Sequence, residues 1–260
     1  MPAAFYVFLL IVGSTVGFLS GLLGIGGGIL MFPLLLYVPP LLGFDPIGVK
    51  SITGLTMVQG FFAAFTAMLY YQKHSLVNKS LVLTFGLSLF LSSLTGSFLS
   101  KLVPDRVLLF IFGMLALAAA VMMLMPRSYS RDEQTAEAVH FHKPTAVFIG
   151  VAIGFLTGLV GQGGAFIIIP IFLYVLKIPL RVALGSTLAV GLFSSSAGLV
   201  GKVATGQVPS HMAAALLLGA VPAARLGSFV GKRTKVQYLN RLLALIIIST
   251  AVKIWADLFK

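Results

Sequence analysis

Apolar stretches dominate the chain and recur at close intervals, at about residues 3–24, 28–42, 49–71, 77–99, 105–125, 144–161, 164–178, 181–201, 209–230 and 237–257. Polar and charged residues are confined to the gaps between them. A bilayer core is crossed by roughly 20 apolar residues in a helix. The pattern therefore predicts an all-α, polytopic membrane protein with about ten hydrophobic helical segments. The segments beginning near 28 and 164 are short and fit half-helices. The first stretch has no basic residues before it and no small-residue cleavage site after it, so it reads as a membrane helix and not as a signal peptide. The longest polar interval, 126–143 (PRSYSRDEQTAEAVHFHK), divides the chain into units 1–125 and 144–260.

The two units repeat one another. GFLSGLLGIGGGILMFPLLLY begins at Gly17, and GFLTGLVGQGGAFIIIPIFLY begins at Gly154. The offset of 137 pairs Gly24 with Gly161, Gly26 with Gly163, Gly27 with Gly164 and Pro33 with Pro170. A second block aligns Thr53 with Thr187, and a third aligns GSFLSK at Gly96 with GSFVGK at Gly227. Three blocks in the same order indicate an internal duplication. Five segments per unit would invert the second repeat, whereas four would leave it parallel. Loop charge discriminates, because Lys and Arg accumulate on the cytoplasmic side. With five segments per unit, twelve of the eighteen Lys and Arg fall on one side. The other side holds Lys50, Lys101, Arg106, Lys202, Lys253 and Lys260. Four segments per unit give no such bias. The expectation is two inverted five-segment repeats, both termini outside and the 126–143 loop cytoplasmic. Inverted repeats are a recurring architecture of secondary transporters.

Composition narrows the class further. Only 9% of residues are charged and 58% are apolar, against about 25% charged in soluble domains. That excludes a soluble enzyme and a disordered chain. The net charge of +12 belongs to the ends of apolar stretches, so it signals orientation in a bilayer and not nucleic-acid binding. The chain has no Cys, hence no disulfide and no thiolate metal site. Nothing resembles a catalytic triad, a metal cluster, a phosphate-binding loop or a cofactor motif. The pattern predicts no enzyme, metal site or cofactor. An oligomer is left open.

The glycine clusters carry the candidate chemistry. Gly24, Gly26, Gly27 and Gly28 in the first unit, and Gly161, Gly163 and Gly164 in the second, interrupt long apolar runs. Each Gly costs about 1 kcal/mol in a helix interior relative to Ala, so together they break the helix. Broken backbone at membrane depth survives only where it is buried in protein or lines a cavity. The helix that follows each break starts with free N–H groups, which attract anions. Two related breaks would aim two positive helix ends at one central point. The glycines at spacing four (Gly13, Gly17, Gly21 and Gly150, Gly154, Gly158) read instead as close helix packing.

Polar side chains near the breaks complete the candidate set. Lys50, Ser51, Thr53 and Gln59 lie on the third segment, and Ser186 and Thr187 at the matching place in the second unit. Gln162 stands in the second break where the first has Ile25. A packing role is the alternative for each hydroxyl, and Lys50 also fits a charge snorkelling to the membrane surface. No Asp or Glu falls mid-segment, which disfavours a carboxylate proton relay or sodium site and favours an anion.

These motifs resemble the sulfite exporter TauE/SafE family of membrane permeases. The resemblance rests on GFLSGLLGIGGGILMFPLLL at Gly17, its echo at Gly154 and ALGSTLA at Ala183, and covers essentially the whole chain. It implies a transporter of a small sulfur-containing anion, such as sulfite or an organosulfonate, in a bacterial or archaeal inner membrane. It singles out the glycines of both breaks, Pro33, Pro170, Thr53, Ser186 and Thr187. Two departures stand out: VKSITGL replaces a small-residue run in the first unit, and Ala165 replaces a third Gly in the second.

Overall fold

The structure is a computed structural model that describes residues 3–23, 27–71, 77–124, 141–234 and 236–258. Among the described residues it is all-helical, as the apolar pattern predicts. Lipid offers the backbone no hydrogen bonds, so each apolar segment must satisfy its own backbone, which the α-helix does. Ten helices result: α1 (Ala3–Leu23), α2 (Gly28–Leu41), α3 (Val49–Tyr71), α4 (Lys79–Leu99), α5 (Asp105–Leu124), α6 (Lys143–Val160), α7 (Ala165–Pro170), α8 (Leu180–Ala204), α9 (Ser210–Arg233) and α10 (Val236–Leu258). Side chains cap two of them. Leu81 N–H donates to Asn78 Oδ1 at 2.8 Å at the start of α4, and Thr145 N–H to His142 Nδ1 at 3.4 Å at the start of α6.

Among the described residues, six helices are long and apolar enough to cross a membrane. The helices after the glycine breaks are shorter. Pro170 ends the regular part of α7, which continues as a wider π-helical turn over Ile171–Val175. Pro33 occupies the equivalent place inside α2. Neither proline has an N–H to donate, so each removes one intrahelical bond a turn and a half from its break.

The two units interlock. The first helix of each packs on the fourth helix of the other. Gly13, Gly17 and Gly21 on α1 press against the Leu216, Ala220 and Ala224 backbone of α9, in ascending order on both helices, so the pair is parallel. Gly150 and Gly154 on α6 meet Ser88 and Ser92 on α4 in the same ascending order. Small residues at spacing four thus serve close packing, as expected. Between them, α8 runs parallel to α4 and antiparallel to α3. Ser93 Oγ donates to Ser194 C=O at 3.2 Å, while Gly198 abuts Met57 and Lys202 reaches Thr53. On the flank, Trp255 of α10 donates its indole N–H to Gly113 C=O of α5 at 3.0 Å.

One end of the bundle gathers several termini. Tyr6 at the start of α1 packs on His211 at the start of α9, with ring centroids 6.3 Å apart. Phe44, after α2, packs on Phe5 at 5.3 Å. The start of α3 and the ends of α4, α6 and α8 meet around Lys202 at the same end. Large apolar side chains face outward, and several polar ones lie within a mostly apolar core. Val7, Ile11, Leu83, Leu91 and Val121 are exposed, whereas Thr53, Thr56, Gln59, Gln162, Ser186, Thr187 and Lys202 are buried. The apolar exterior suits lipid as the solvent.

Candidate functional site

The glycine breaks meet near the middle of α3. Gly24 and Gly26, two of the candidate residues, lie outside the described residues, as do 125–140 of the central loop. From Gly27 onward the two breaks share one geometry. Gly27 has φ 74° and caps α2; Gly164 has φ 70° and caps α7. These left-handed dihedrals favour glycine. Leu30 and Met31 N–H bond to Gly27 C=O at 3.1 and 3.0 Å, and Ile167 and Ile168 N–H bond to Gly164 C=O at 3.0 Å each. The N–H groups of Gly28, Ile29, Ala165 and Phe166 precede those first intrahelical bonds, as in any helix start.

Two amide side chains flank the first break. A Cβ built on Gly27 would stand 2.8 Å from both Nε2 and Oε1 of Gln59. One built on Gly28 would stand 2.8 Å from the Gln162 carbonyl oxygen. So Gln59 and the second break close on the first from two sides. Gln162, Gly163 and Ala165 then line a small pocket, together with Gly60, Thr187, Gly191 and Ser195. The amide oxygen and nitrogen of both Gln59 and Gln162, and the Thr187 hydroxyl, are buried without a hydrogen-bond partner among the described residues. A buried polar group without a partner costs about 1–3 kcal/mol. Three such side chains around one cavity and one break are therefore an arrangement that suits a polar ligand.

The other candidates lie elsewhere or are engaged. Ser186 Oγ accepts the Asn78 N–H at 3.1 Å and so anchors the cap of α4. Ser51 is half-buried near the start of α3. Lys50 donates to Lys101 C=O at 2.6 Å, tying α3 to the end of α4. Thr53 donates its hydroxyl to Lys50 C=O at 2.7 Å. Gly161, with φ 78°, seats against the Thr53 backbone, and Thr56 Oγ1 donates to Gly161 C=O. The candidates thus fall into a central group (Gly27, Gly28, Gln59, Gln162, Gly163, Gly164, Thr187) and an end group (Lys50, Thr53), joined through Gly161.

The end group has members that sequence reasoning missed. Lys202, expected as a loop charge, is fully buried at 0% exposure. Its Nζ donates to Ser100 Oγ at 2.7 Å, Thr53 Oγ1 at 2.9 Å, Leu159 C=O at 3.1 Å and Gln207 Oε1 at 3.1 Å. Gln207 also donates Nε2 to Ser100 Oγ at 3.0 Å. A Lys at the end of an apolar stretch looks like a boundary charge. The signal against that reading is the run of small residues before it, SSSAGLVG at 194–201, which lets neighbouring helices close over this face.

An apolar exterior and several membrane-length helices mark a multi-pass membrane protein. The model of the sulfite exporter TauE/SafE family matches residues 9–254. The chain belongs to that family, whose members are membrane transporters and not enzymes. It is similar to probable membrane transporter proteins from several microbes. One, from Methanocaldococcus jannaschii, is 27% identical over 92% of this chain and 91% of its own. One from Xylella fastidiosa is 28% identical over 95% of each chain. One from Bacillus subtilis is 22% identical over 94% of each. No solved structure matches.

Proposed function

We propose that the protein is a secondary transporter that moves a small sulfur-containing anion, sulfite or an organosulfonate, out of a bacterial or archaeal cell across the inner membrane. The observation that carries this reading is the convergence of two glycine-capped helix starts with the unpartnered amides of Gln59 and Gln162 and the Thr187 hydroxyl. Helix starts and amide N–H groups are donors, which suits an anion's oxygens. The family's printed description, sulfite exporter, supports the substrate class. In this reading Gly24, Gly26, Gly27, Gly28, Gly161, Gly163 and Gly164 shape the site. Gln59, Gln162 and Thr187 bind, Lys50 and Thr53 stand at its mouth, and Ser51 and Ser186 support the scaffold.

Units 1–125 and 144–260 act as two inverted five-segment repeats that rock about the site, with both termini outside and the 126–143 loop cytoplasmic. Two observations support this. The α1–α9 and α4–α6 pairs are equivalent under exchange of the units. The start of α1 and the end of α6 also share one end of the bundle.

Counterflow in proteoliposomes loaded with sulfite tests the proposal, with unlabelled sulfite, sulfoacetate, taurine, sulfate and chloride as competitors. Saturable exchange, competed best by sulfite or sulfonates, is the expected result. Flux that rises linearly with concentration would point to a pore, and no exchange of any sulfur anion by folded protein would remove the substrate class.

A further inference from the structure

We infer that Lys202 supplies the fixed positive charge by which this transporter prefers anions over neutral solutes, acting from behind Thr53 and Gly161. The inference rests on the anion-transport reading above and names a specificity residue for it.

Four hydrogen-bond acceptors surround the Lys202 Nζ. Leu159 C=O and Gln207 Oε1 can only accept. Thr53 gives its hydroxyl proton to Lys50 C=O at 2.7 Å, and Ser100 gives its own to Ser97 C=O at 2.7 Å. With the hydroxyls turned that way, the contacts draw on protons of the Lys202 amine, of which the ammonium has three and the neutral amine two. Four acceptors at 2.7–3.1 Å suit the ammonium.

All four acceptors are neutral. They solvate the ammonium without cancelling it, whereas a carboxylate would neutralise it. A buried, uncancelled charge is screened far less than an exposed one. Only a short chain of contacts separates it from the site. Lys202 bonds to Thr53, the Thr53 backbone seats Gly161, and Gln162 follows in the cavity wall. The four acceptors come from α3, from the residue after α4, from α6 and from the loop after α8, so the charge is held in place from both units.

Lys202→Gln and Lys202→Met remove the charge, and Lys202→Arg keeps it. Sulfite counterflow is measured for each and for the wild type, with methanesulfonate and its neutral isostere methanesulfonamide as competitors. The wild type and the Arg variant are expected to prefer methanesulfonate by about tenfold or more, on the scale of one unit charge acting through protein. The Gln and Met variants are expected to raise the KM for sulfite about tenfold and to lose that preference. A folded Gln variant with unchanged KM and preference overturns the role of Lys202. So does a wild type that accepts methanesulfonamide as readily as methanesulfonate, a result that requires no variant to fold. If the wild type exchanges no sulfur anion, the transport reading falls and this one with it; if it does and Lys202→Gln matches it, only the role of Lys202 falls.

Discussion

Gly28, the first residue of α2, rests on Gln162 in the second glycine break: a Cβ on Gly28 would stand 2.8 Å from the Gln162 carbonyl oxygen and 3.1 Å from its Cβ. The φ of Gly28 is not left-handed, so a side chain there meets crowding and not backbone strain. Gly28→Ala should push the two breaks apart. The expected result is a several-fold loss of sulfite counterflow with a destabilisation of about 1–3 kcal/mol, typical of overpacking. Gly48→Ala is the control, because nothing lies within 4 Å of a Cβ there. Equal transport by the two variants would show that the breaks need no close contact.

Gln162 and Gln59 predict a split between stability and function. Each buries an amide whose oxygen and nitrogen have no partner. Replacing such a group by an apolar one of similar size removes a desolvation penalty of about 1–3 kcal/mol. Gln162→Met and Gln59→Leu should therefore raise the melting temperature in detergent while transport falls at least about tenfold, the equivalent of about 1.4 kcal/mol. If either variant melts lower and transports normally, its amide serves the fold and not the substrate.

Adjacent hydroxyls should behave in opposite ways. Ser186 Oγ accepts the Asn78 N–H at 3.1 Å, whereas the Thr187 hydroxyl has no partner. Ser186→Ala removes the hydroxyl that accepts the Asn78 N–H and should cost about 0.5–1.5 kcal/mol in stability with little change in KM. Thr187→Val should leave stability nearly unchanged and raise KM several-fold. Thermal melts and counterflow kinetics on the two variants check both halves, and the reverse pattern would reassign the two residues.

The ten segments were legible because each element is set by its own apolar length. The stretch at 77–99 became Lys79–Leu99, and that at 181–201 became Leu180–Ala204. The stretch at 164–178 was less so. Its apolar length predicts one short helix, but Pro170 divides it into α7 and a π-helical turn. The glycine breaks and Gln162 were legible because glycine runs and a lone amide are costly in an apolar segment wherever they sit. Lys202 was not, because its meaning depends on Ser100 and Leu159, 102 and 43 residues away in sequence. Ser186 looked equivalent to Thr187 for the same reason: its partner, Asn78, is 108 residues distant.

Membrane potential tests direction and coupling together. The buried polar residues around the site are amides and hydroxyls with one lysine nearby, and among the described residues no group of three or more His, Asp and Glu could hold a metal ion. A transporter that carries an anion by itself moves net charge. Each elementary charge contributes about 2.3 kcal/mol per 100 mV toward export when the interior is negative. For a monovalent anion this corresponds to a concentration ratio of about 50 at equilibrium. Proteoliposomes clamped with potassium and valinomycin should therefore shift the distribution of labelled bisulfite by about that factor per 100 mV, with no proton or sodium gradient imposed. A distribution indifferent to potential, yet driven by a proton gradient, would mean electroneutral coupling and would reverse the argument for passive export.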